Sequence, residues 1–354
     1  MHPTTAPVAP IPQVGRVETP RVFTFDSVLV TGVAFLAITA GYAVVVAPAL
    51  FPTLLLLDLW LLGYHHVIST FTRLTFDAES RRKNRFLIYY LPPLVVAGVG
   101  AMVYGLGAWS VVSLYFYWQW LHYTRQSYGI FRILSKKSGI EAGAAHDRAA
   151  ITALYAVPLF GVLWRSRQNP DTFLGLECWF MPVSEVVLAV AGAFAAVSML
   201  WWVWETFRAR EDGRWNPTVT IYLLTHHTIF YIGYYAITDI NFGWLAINVW
   251  HNAQYIMIVW AFNQRRFKGG VDPKAWLLSW LSQPRTGRAI GYFALCLTIS
   301  TGFYAATAWT LESSFLAAVP AASVLLYQTI NFHHYITDTV IWRRPKQAAP
   351  AAKA

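Results

Sequence analysis

The chain has 354 residues, of which 56% are hydrophobic, 16% aromatic and only 12% charged. That charged fraction is about half that of a soluble domain, so the composition excludes an ordinary soluble protein and points to an all-α, polytopic transmembrane helical bundle. The net charge of +10 does not call for a nucleic-acid partner, because the basic residues fall between apolar runs and not along one soluble face.

In chain order, residues 1–26 are rich in Pro and Thr, lack an apolar core and read as a disordered tail, not a signal peptide. Ten apolar stretches then approach or reach the ~20 residues that a helix needs to cross the hydrocarbon layer. They lie near 27–48, 51–73, 86–105, 109–133, 149–165, 184–206, 217–237, 242–263, 287–308 and 313–342. A turn around Pro48 and Pro52 splits the first pair, and Pro92, Pro93 and Pro158 are expected to kink their helices. Between the eighth and ninth spans, AWLLSWLSQ predicts a short interfacial helix near 274–283. The spans make one transmembrane domain, 27–342, with a second disordered tail at 343–354. Of the 27 Lys and Arg, all but Arg165 and Arg167 fall on one side of this ten-span path, which leaves 25 there and places both termini in the cytoplasm. Two cysteines, Cys178 and Cys296, are too few for a disulfide framework.

Eight of the ten histidines fall inside predicted spans: His65, His66, His122, His226, His227, His251, His333 and His334. Counted from the cytoplasmic end of each helix at ~1.5 Å per residue, they share one layer about 12–21 Å deep. Ionisable groups at such depth are expensive and functional by default. Polar residues recur around them at helical spacing. Asp58 lies seven residues before His65, Asn248 and Tyr255 flank His251 at i−3 and i+4, and Asn331 and Asp338 flank His334 in the same way. Such neighbours supply the acceptors that orient ligand imidazoles. Adjacent histidines point ~100° apart on a helix, so one member of each pair is expected to be a ligand. Imidazole suits iron, copper, zinc or nickel, and the lack of nearby Cys disfavours soft-metal chemistry. A His-rich site with few carboxylates, buried in lipid, fits non-haem Fe(II) acting with O₂ and equally axial ligation of haem, with another transition metal as a further alternative. The other readings are a histidine-lined transporter or proton-coupled carrier, and a haem-binding electron-transfer protein.

Four motifs carry a resemblance to a known family: GYHHVIST at 63–70, WLHYTRQ at 120–126, WHNAQY at 250–255 and FHHYITDTVIWRRP at 332–345. Their order and placement resemble the bacterial Brp/Blh family of integral-membrane β-carotene-cleaving dioxygenases. The resemblance implies a single ferrous iron held by His65 or His66, His122, His251, and His333 or His334. It also implies O₂ and a carotenoid or other isoprenoid as co-substrates, in a bacterial inner membrane. The expected ligand set is His65, His122, His251 and His334. Asp58, Asn331, Asp338 and Tyr255 are expected to support it.

Overall fold

The computed structural model describes residues 24–313 and 322–342, and these form an all-α bundle. The helices are α1 (Phe25–Val46), α2 (Pro48–Thr75), α3 (Ala78–Lys83), α4 (Phe86–Leu106) and α5 (Ala108–Ser138). After them come α6 (Ala144–Gln168), α7 (Glu185–Glu211) and α8 (Pro217–Tyr231), the last extended by a wider turn over Ile232–Ala236. The chain continues through α9 (Ile240–Arg266), α10 (Trp276–Leu281), α11 (Thr286–Glu312) and α12 (Ala322–Ile341). Among the described residues each of the ten predicted spans falls on a helix, the tenth over Ala322–Ile341. Six of them, α1, α2, α4, α6, α7 and α11, are long and apolar enough to cross a membrane. The other four, α5, α8, α9 and α12, fall short of that apolarity, and each carries at least one buried histidine.

α9 is the central post. Every residue from Gly243 to Ile256 is buried, so its polar side chains meet protein on all sides. α2, α5 and α12 pack around it in a closed cycle: α9 touches α2 and α5, and α12 touches the same two. α1 covers another side of α9, α4 covers α5 and α12, and α11 covers α2. The outer helix α7 turns Val186, Val190, Phe194, Val197 and Leu200 outward at three- and four-residue spacing, as a lipid-facing surface requires.

The polypeptide is not uniformly α-helical. Wider, π-type turns interrupt α1 at Val28–Gly32, α2 at Asp58–Gly63 and α4 at Phe86–Tyr90. Where α8 ends in such a turn, Arg165 from α6 reaches in and is 1% exposed. It donates to the carbonyls of Gly233 (3.0 Å), Thr238 (2.6 Å) and Ile237, satisfying acceptors that the helix end leaves open. Gly233 and Gly243 permit the crossing of α8 over α9 there, since a Cβ on Gly243 would sit 2.0 Å from the Gly233 carbonyl oxygen.

A two-residue hairpin, β1 (Thr172–Phe173) and β2 (Leu176–Glu177), bridges α6 and α7. It inserts Phe173 against Tyr115, Phe116 and Trp244. The predicted interfacial helix corresponds to α10, which buries Leu278 and Leu281 and exposes Trp276, Leu277 and Trp280. Both cysteines are free. The predicted tails, apart from Thr24, Phe25 and Asp26, lie outside the described residues.

Candidate metal centre

Each helix of the inner cycle contributes one histidine to a buried cluster of rings: His66 from α2, His122 from α5, His251 from α9 and His334 from α12. Their rings pair in the same cyclic order as the helices. The centroid separations are 5.4 Å for His66–His251, 4.9 Å for His251–His122, 5.0 Å for His122–His334 and 4.7 Å for His334–His66. All four pairs are edge-on rather than stacked. One ligand atom each from His122, His334 and Asp338 lie within 4.8 Å of one another, a group able to hold a metal ion.

The hydrogen-bond inventory of this cluster has gaps. Neither nitrogen of His251, nor Nε2 of His122, nor Nε2 of His334 has a partner, although all are buried. His66 makes no well-formed bond and only loosely approaches the carbonyls of Gly63 and Leu62 on its own helix. A buried polar atom without a partner costs roughly 1–3 kcal/mol. Four such imidazoles in one place are costly unless something else binds their lone pairs, and a cation is what such a donor set accommodates.

One hydrogen-bonded chain fixes the orientation of His334. Tyr255 Oη donates to Asp338 Oδ1 (2.7 Å), so it must accept from Thr70 Oγ1 (2.6 Å), and Thr70 in turn accepts from His334 Nδ1 (3.1 Å). This direction puts the His334 proton on Nδ1 and turns the Nε2 lone pair toward the other rings. Asp338 Oδ2 lies 3.6 Å from His334 Nε2. Asp338 was expected to accept from His334 directly. Thr70 does so instead, and Asp338 stands beside the imidazole with an oxygen that a metal ion could use. Trp342 Nε1 approaches Tyr255 Oη at 3.3 Å and closes this side.

A second network lies beneath His251. Tyr123 packs its ring 4.1 Å from that of His251 and donates to Asn248 Oδ1 (2.6 Å). Asn248 and Asn252 both donate to the buried carboxylate of Asp58, at 2.5 and 3.3 Å. Asp58 therefore supports the asparagines that flank His251 and not the histidine seven residues after it. Tyr335 stacks on His122 at 4.1 Å and fixes that ring.

The remaining predicted residues do not join the cycle. His65, the expected ligand of its pair, packs on Phe293 of α11 with ring centroids 4.3 Å apart. The wide turn at Asp58–Gly63 supplies the reason. A π-type turn takes in one extra residue, so the face of Asp58 is met again eight residues on, at His66, where an unbroken helix would present His65. His333 stacks on Phe71 and its Nε2 lies 2.7 Å from the carbonyl of Leu87, within the wide turn of α4. His226 Nε2 lies 3.0 Å from the carbonyl of Leu154, and His227 packs on Trp202 at 5.4 Å, so this pair ties α8 to α6 and α7. Asn331 is buried against Tyr327, with its amide nitrogen unpartnered. Thr70, Tyr123 and Tyr335 were not anticipated. Thr70 lies four residues after His66, a spacing that becomes informative once that histidine is preferred.

Beside the cycle, a cavity of about 520 Å³ is lined by His122, Tyr255 and Asp338 together with apolar side chains of α5, α9 and α12. No family model, curated protein or solved structure matches the chain.

Proposed function

We propose that the chain is a membrane-embedded, metal-dependent oxygenase, with non-haem ferrous iron, that acts on a lipophilic substrate. The observation that carries this reading is the closed cycle of four buried imidazoles, each of which leaves at least one nitrogen without a protein partner. The residues fit the ion: His66, His122, His251 and His334 would hold it, and Asp338 Oδ2 stands where a fifth donor is useful. A ferrous ion, when bound, supplies an O₂-reactive redox centre.

The chain's own groups do the rest. Thr70 and Tyr255 hold His334 in the tautomer that presents Nε2, and Tyr335 and Tyr123 hold the planes of His122 and His251. Tyr255 Oη donates to Asp338 Oδ1 over 2.7 Å, so the chain from His334 through Thr70 and Tyr255 is oriented to move a proton toward that carboxylate. The burial of α9 on every side keeps bulk water from the centre. The adjoining cavity brings an apolar molecule to within contact of His122 and Asp338.

The four motifs that resemble the Brp/Blh family each supply one histidine of the cycle. This supports a carotenoid or another isoprenoid as substrate class, with O₂ as partner, in a bacterial inner membrane with both termini cytoplasmic. Haem is disfavoured sterically, because the space beside each facing pair of imidazoles is filled by the other pair. Protein purified in neutral detergent is expected to contain close to one iron per chain by elemental analysis, with no Soret band. Less than about 0.1 transition metal per chain under metal-retaining conditions overturns the reading, and a Soret band replaces it with the haem alternative.

A further inference from the structure

One charge near the centre is used by nothing described above. Arg125 lies one helical turn after His122 on α5 and lines the cavity. It makes no hydrogen bond or ion pair with any described residue. It sits seven residues before Arg132, about 10 Å deeper along the helix axis. An arginine at that depth normally pairs or faces water, because an unpaired guanidinium among apolar groups is costly.

The other charges on the cavity wall are already engaged. Arg132 pairs with Asp147 at 2.8 Å, and Asp338 accepts from Tyr255. Of the two arginines on the cavity wall, Arg125 is thus the one without a hydrogen-bonded partner, and it meets the carboxylate of Asp338 only through space. Gln126 Oε1 beside it is also buried without a partner. Leu121, Arg125 and Tyr128, spaced to share one face of α5, are all exposed, so the cavity opens sideways along that helix. A molecule dissolved in the membrane can enter there. The wall beyond is apolar, with Trp118, Leu121, Ile258 and Tyr335.

We propose that this cavity binds a single-chain amphiphile with a terminal anion, a carboxylate or phosphate, that pairs with Arg125. The apolar chain lies along Trp118 and Tyr335. A volume of about 520 Å³ is within the range of small-molecule sites and favours one chain over a two-chain phospholipid. Arg125 is a specificity-determining residue. Its separation from His122 by one turn, about 5 Å, sets the carbons near the anionic end against the metal centre. The proposal rests on the oxygenase reading for the fate of the ligand, but not for its binding.

The test uses metal-stripped full chain in phosphatidylcholine nanodiscs, so that binding and metal content are read apart. Trp118 and Trp342 line the cavity, so 9,10-dibromostearate is expected to give saturable quenching of tryptophan fluorescence, lost in the W118F/W342F double variant. Oleate should displace it about tenfold or more better than oleyl alcohol, which has the same chain without the charge. Arg125→Gln should remove that preference, and Arg125→Lys should keep most of it, which separates lost charge from lost fold. Displacement by oleate and not by phosphatidylglycerol assigns the anion to a free lipid acid. Displacement by phosphatidylglycerol and not by oleate overturns the single-chain proposal. Equal affinity for oleate and oleyl alcohol, or an R125Q protein that binds as the wild type does, overturns the proposal whatever the metal content.

Discussion

His65 and His66 are adjacent, both buried and both on the helix that faces the centre, yet only one of them looks into it. Packing on Phe293 fills the surroundings of His65, and a small apolar replacement there costs contacts but no donor. His66→Ala is therefore expected to lower metal affinity by more than ~100-fold, beyond the 10–100-fold typical of an outer partner. His65→Ala should leave stoichiometric metal. Equal loss in both, measured by elemental analysis of folded protein, would reassign the ligand. Thr70→Val keeps the shape and removes the hydroxyl between His334 Nδ1 and Tyr255 Oη. It should weaken metal binding by about 10–100-fold with the helix intact, whereas unchanged affinity would show that the His334 tautomer is set elsewhere.

At the level of elements, the wide turn in α2 does the positioning. It moves the reading frame of the helix by one residue between Asp58, which supports Asn248 and Asn252, and His66, which faces the cycle. Two functional side chains on one helix can then serve two neighbouring networks on the same partner, α9. The crossing of α8 and α9 is set more rigidly. Gly243→Ala would drive a Cβ into the backbone of Gly233, which cannot rotate away as a flexible side chain would. A destabilisation of ~1–3 kcal/mol is expected, or more if the helices separate. A lowered thermal unfolding midpoint checks it, and an unchanged midpoint would mean that the helices slide apart without cost.

For the whole molecule, the path through the membrane decides which loops share a side. Six helices qualify as spans on length and apolarity, whereas ten are expected from the full pattern. α5 and α9, with 31 and 27 residues, are each long enough to cross, and their polar residues point into the bundle. The two paths differ in a measurable way. In a cysteine-free background, single cysteines replacing Arg82, Arg167 and Lys268 can be labelled with a membrane-impermeant thiol reagent. The ten-span path puts positions 82 and 268 on one side and 167 on the other. A path of only the six apolar helices puts 82 and 167 together, opposite 268. The first pattern is expected, with position 167 accessible from outside.

Much of this protein was legible in its sequence. Hydropathy and length determine a helical membrane bundle, because backbone groups in hydrocarbon have to be satisfied within a helix. The depth of the histidines along each helix follows from counting residues, so His122, His251 and the terminal His-His pair were recognisable as one layer. Rotation about each helix axis was not legible in the same way. Choosing His66 over His65 depended on a wide turn with no sequence mark of its own. Choosing His334 over His333 depended on which neighbour met the Leu87 carbonyl and Phe71. His226 and His227 share the depth of the others, but α8 lies outside the inner cycle, so they tie helices together. Depth is a one-dimensional property of the chain. Which faces meet is decided only when α2, α5, α9 and α12 close around one another.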